Sequence, residues 1–128
     1  MNKLLLSLIV IPLFSLSFCT KENISEVLPQ SQWKNSTFQP SEGAVEYTLL
    51  KFTSEDLYEA WFKPVDGTLL LVEEGSYILA KLNEGGVSID GITLIPHDNP
   101  QNPIVGTFIT SRKLTLVIEG EPHIFTKE

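Results

Sequence analysis

From Trp33 to Lys127 the chain is cut by turn residues at short, nearly regular intervals, and this punctuation limits the possible folds more than any other feature. Pro40-Ser41-Glu42-Gly43, Pro64-Val65-Asp66-Gly67, Glu73-Glu74-Gly75 and Asn83-Glu84-Gly85-Gly86 are turns by residue type. Between them lie runs rich in Val, Ile, Leu, Thr and aromatic residues: Trp33 to Phe38, Ala44 to Phe52, Tyr58 to Phe62, Thr68 to Val72, Ser76 to Leu82 and Val87 to Ile95. Beyond the proline-rich stretch from Pro96 to Pro103, three further runs, Ile104 to Thr110, Leu114 to Ile118 and His123 to Lys127, bring the strand candidates to nine. A strand about every 8–12 residues is the spacing of an antiparallel meander. Thr53-Ser54-Glu55-Asp56 has the composition of a helix start, but nothing of helical period follows it.

An open sheet of that width leaves two edges and an apolar face uncovered, so the fold expected is all-β: a small antiparallel meander barrel of about eight or nine strands. Alternation gives some strands a face. Leu114, Leu116 and Ile118 should point into the core and Thr115 and Glu119 to water. Tyr58 and Phe62 share one face of their strand and Trp61 takes the other. In Val87 to Ile95 the apolar positions change phase at Gly91, which suggests a bulge or sharp bend there.

The start of the chain is of another kind. Lys3 is followed by an almost unbroken apolar run from Leu4 to Phe14, and Leu16-Ser17-Phe18 leads into Cys19, the only cysteine. This is the layout of a secretory signal. It resembles the signal of bacterial lipoproteins, which carry a leucine three places before the modified cysteine; Phe18 stands where those signals have a small residue. Leu4 to Phe18 is too short, against about 20 residues, for a spanning helix, and Pro12 interrupts it. The resemblance implies a signal peptide over 1–18, fatty acyl attachment at Cys19 such as palmitate, a tether over 19–32 and a barrel domain over 33–128. The protein would then be held on a membrane of the bacterial cell envelope without crossing it.

Without its first eighteen residues this 128-residue chain is one domain, with no cysteine left for an internal disulfide. Its formal charge of −7 repels phosphate backbones and argues against nucleic acid as a partner. Trp33, Gly75-Ser76-Tyr77, Gly106-Thr107-Phe108 and Lys113-Leu114-Thr115-Leu116 resemble the corresponding parts of small bacterial lipocalin-like domains found behind lipoprotein signals. That resemblance implies a monomeric barrel that carries or contacts something else.

Catalytic motifs are lacking: there is no phosphate-cradling loop, no paired-cysteine spacing and no nucleophile elbow. His97 and His123 have no marked nucleophile beside them, and Glu73-Glu74 and Glu55-Asp56 are too few oxygens for a calcium site. No enzyme activity, cofactor or metal is expected. The aromatic residues are the lead: Trp33, Tyr58, Trp61, Tyr77 and Phe108 are candidates to line a cavity for a small apolar ligand, although the same rings would also serve as core filling. The function expected is a membrane-anchored, non-enzymatic binding module for such a ligand or for a protein partner. The alternative is a structural or inhibitory envelope lipoprotein with a filled barrel.

Overall fold

A computed structural model describes residues 23–40 and 43–128. The proposed signal segment and Cys19 lie outside the described residues. One helical turn, α1 (Ile24–Val27), precedes eight strands: β1 (Ser31–Asn35), β2 (Val45–Phe52), β3 (Leu57–Pro64), β4 (Leu70–Glu84), β5 (Val87–Pro96), β6 (Ile104–Thr110), β7 (Lys113–Ile118) and β8 (Glu121–Lys127). Each strand pairs antiparallel with the next, and β1 pairs with β8 through Trp33–Lys127 and Lys34–Thr126, so the sheet closes into a barrel. Closure gives every strand a partner on both sides, and the far part of the β4–β5 hairpin is paired on one side alone.

The inward phase follows the alternation read from the sequence. Leu114 and Leu116 are buried and Ile118 packs against the core. Tyr58 points inward, with Ala60 and Phe62 in the same phase, and Trp61 lies outside. On the outer face Lys51 stacks over the Trp61 ring at 4.7 Å and the Trp61 Nε1 donates to Glu59 Oε1 at 2.9 Å, which accounts for the outward tryptophan.

Thr68 to Val72 and Ser76 to Leu82 are not separate strands: from Leu70 onward they belong to the fifteen-residue β4, with Glu73-Glu74-Gly75 inside it and Thr68 and Leu69 before it. That tripeptide is not a turn because each end has an interior role. Glu73 Oε2 accepts a hydrogen bond from the Tyr58 hydroxyl at 2.7 Å, and Gly75 is where β4 passes against the backbone of β5 and the ring of Tyr58. Gly91 is not at a bulge, since β5 runs in unbroken register with β4 from Glu84–Val87 to Gly75–Pro96. The apolar residues before it simply face outward on a hairpin that extends past the barrel, where Val87 is 60% exposed. The hairpin turns at Gly85-Gly86, with φ of 58° and 83°, a left-handed pair that glycine adopts without a steric penalty.

Bulges occur elsewhere. Between β3 and β4 the register slips, Glu73 facing Ala60 while Leu71 faces Trp61, so Val72 is the extra residue. Below this point Glu73, Gly75 and Tyr77 have the inward phase; above it Val72 and Leu70 do. One inserted residue has turned the strand over.

The second half of the expected tether is also part of the packed unit. Asn23 caps α1 by accepting from Ser25 N at 3.2 Å, and Ile24 and Leu28, one turn apart, are buried in the core. The chain then enters β1 with Gln30 N donating to Phe52 O and Ser31 N to Leu28 O. α1 thus closes one end of the barrel. A two-residue apolar stripe is too short to register as a period in the sequence, and its burial depends on the barrel end it covers.

Candidate ligand-binding cavity

The two halves of the barrel interior differ. At the α1 end, Ile24, Leu28, Trp33, Phe52, Tyr77, Ile92, Phe108 and Leu114 fill the space. Trp33 meets Phe108 edge-on at 5.7 Å and Phe52 meets Tyr77 at 4.9 Å, the arrangement that aromatic quadrupoles favour. Polar tips find partners there. Trp33 Nε1 donates to Ser31 Oγ at 2.8 Å, Ser31 Oγ in turn donates to Leu28 O, and the Tyr77 hydroxyl donates to Ser54 O at 2.6 Å. Burial first, then the charges of Asp56 and Glu55, push the Tyr77 hydroxyl up to about 12, so it stays protonated at neutral pH.

The other half is not filled. It holds a cavity of about 580 Å³, within the roughly 300–1,000 Å³ span of small-molecule sites. Its wall is mostly aliphatic and aromatic, including Leu50, Phe62, Leu94, Ile104, Leu116 and Phe125. Phe38, Leu70 and Glu119 lie at the rim, where Leu70 is 53% exposed. Asn35 builds part of that rim. Its side chain is buried, its Nδ2 donates to Ile124 O at 2.7 Å, and its Oδ1 accepts from Thr37 N at 3.0 Å and Phe38 N at 2.7 Å. The loop after β1 is thereby pinned so that Phe38 packs against Phe62 at 6.3 Å and edge-on against His123 at 5.1 Å.

Three polar side chains line the apolar wall: Thr48, Glu73 and Glu119. Thr48 is 5% exposed, in the inward phase with Leu50 and Phe52, and its Oγ1 has no hydrogen-bond partner. A buried hydroxyl left in that state costs about 1–3 kcal/mol. Glu73 sits one inward row deeper, level with Ala60 and Leu50 in the register. One of its oxygens accepts from the Tyr58 hydroxyl, and burial, that hydrogen bond and the nearby negative charge, in that order, hold the Tyr58 hydroxyl far above its ordinary range. Tyr58 therefore remains a fixed donor to Glu73. Glu119 reaches the rim from the β7–β8 turn at φ 55°, a left-handed conformation unusual for a glutamate.

None of the five aromatic residues singled out from the sequence lines this cavity. Trp33, Tyr77 and Phe108 fill the closed end, Tyr58 lies beneath the cavity and acts on it through Glu73, and Trp61 is outside. Emphasis on the largest rings selected the residues that occupy space and missed those that border it. Thr48 was legible as the polar member of the inward series Thr48, Leu50, Phe52. Glu73 was hidden by its place in an apparent turn. Among the described residues no group of three or more His, Cys, Asp or Glu side chains is placed to hold a metal ion.

The closed eight-stranded antiparallel barrel is compatible with a lipocalin-like fold. No protein-family model, curated protein or solved structure gives a significant match to the chain.

Proposed function

We propose that this protein is a lipid-anchored component of the bacterial cell envelope whose barrel is a non-enzymatic binding module for a small apolar ligand. The observation that carries the reading is the cavity itself, apolar over most of its wall and bounded on one side by a filled, helix-capped core. A barrel serving only as a rigid spacer gains nothing from leaving half its interior unfilled, since each lost packing contact weakens it. Its polar lining groups are one hydroxyl and two carboxylates, Glu73 is engaged by the Tyr58 hydroxyl, and no hydrogen bond joins a carboxylate to Thr48 Oγ1, which favours binding over turnover.

Native mass spectrometry of the protein purified from its own host tests the reading. A co-purifying small molecule should be retained by the wild type and lost when Leu50→Trp fills the cavity. A wild type that carries nothing and takes up no apolar probe would count against it. The anchor is tested separately: Cys19→Ala should move the protein from the membrane fraction to the soluble fraction, because stable attachment needs more than one acyl chain. Retention of the alanine variant on membranes at high salt would remove the lipid anchor from the proposal.

A further inference from the structure

We infer that the ligand is a cationic amphiphile, an apolar body bearing an ammonium group, and that Glu73 is its counter-ion with Thr48 as a second polar contact. This rests on the reading of the cavity as a ligand site. Among the described residues the cavity wall carries two carboxylates, Glu73 and Glu119, and no lysine, arginine or histidine. The ion pairs formed among the described residues, Lys63 with Glu46 and Lys81 with Asp90, involve neither. Glu73 has one partner, the neutral Tyr58 hydroxyl, which fixes the carboxylate and leaves its charge without a cation. A partly buried carboxylate in an apolar wall favours a cation brought in by the ligand.

The second observation is independent of charge. Thr48 Oγ1 is buried, turned into the same cavity and unpartnered. It lies one row nearer the mouth than Glu73, placed to accept from an N–H of a head group held there. Glu119 and the chain's net charge of −7 give the approach the same sign, which favours entry of cations and disfavours fatty acids.

Isothermal titration of the purified full-length protein with octylamine, octanol and octanoate separates the head group from the tail, since all three share one alkyl body. Octylamine should bind about 10–100-fold more tightly than octanol, the range for a charge-assisted contact, and octanoate more weakly than either. Glu73→Gln, which keeps an oxygen for the Tyr58 hydroxyl, should bring octylamine to the level of octanol and leave octanol unchanged. Glu59→Gln, on the outer face, should alter none of the three. Thr48→Val should raise the unfolding midpoint and weaken octylamine.

Equal binding of amine and alcohol, or preference for octanoate, would overturn the cationic assignment and leave the cavity standing as an apolar site. Persistence of the amine preference in Glu73→Gln, or its loss in Glu59→Gln, would overturn Glu73 as the counter-ion. Failure of all three probes to bind would overturn the cavity reading, and this inference with it.

Discussion

Replacing Gly75 by alanine is expected to destabilise the protein by about 3 kcal/mol or more, a large part of the roughly 5–15 kcal/mol available to a domain. A methyl group there would fall on the carbonyl oxygen of Ile95 and 2.7 Å from Tyr58 Cε1. The first obstacle is backbone in the β4–β5 ladder, next to the Gly75–Pro96 pair, and cannot move without breaking that ladder. The second is the ring whose hydroxyl orders Glu73. Gly67→Ala is the control, because a methyl there meets only Pro64 atoms at 3.6 and 3.7 Å, ordinary contact distances. Denaturant unfolding should show a sharply lower midpoint for Gly75→Ala and almost none for Gly67→Ala. Matching midpoints would mean that β4 and β5 do not approach as described.

The next largest effect should come from β7. Leu114 is fully buried in the filled half of the barrel, so Leu114→Ala should cost about 2–5 kcal/mol, with the value set by how far the neighbours close the gap. Leu116→Ala should fall toward the lower end of that range, since its side chain already borders the cavity. Thr115, half-buried in the outward phase, should cost well under 1 kcal/mol as alanine. Equal midpoints for Leu114→Ala and Thr115→Ala would put the wrong face of β7 inside.

The same alternation that made β7 legible explains most of what the sequence conveyed. Period-two patterning and turn residues are local signals, and they located nearly every strand, separated the two faces of β3 and gave the inward face of β7. Glu73-Glu74-Gly75 failed as a turn because its meaning is set on the two neighbouring strands, by Tyr58 fifteen residues before Glu73 and by Ile95 on β5. α1 failed for a similar reason. Ile24 and Leu28 look like scattered apolar residues in a polar stretch until an open barrel end is placed over them. The cavity was least legible of all, because an unfilled volume is a property of the closed sheet that no one segment encodes. Even so, one polar side chain of its wall, Thr48, was present in the inward phase of β2, and another, Glu73, stood in the stretch read as a turn.

The position of α1 bears on which side of the protein can receive a ligand. The helical turn blocks the end of the barrel at which the chain enters, and the rim formed by Phe38, Leu70 and Glu119 is at the other end. Cys19 precedes Asn23 by four residues, a leash of at most about 15 Å, shorter than the roughly 25 Å along an eight-residue strand such as β2. An acyl group on Cys19 would therefore turn the closed end of the barrel, with the β4–β5 hairpin that projects beside α1, toward the membrane and the mouth away from it. Cargo would be delivered from the aqueous compartment or from a facing carrier, and the leaflet that holds the protein would not be its source.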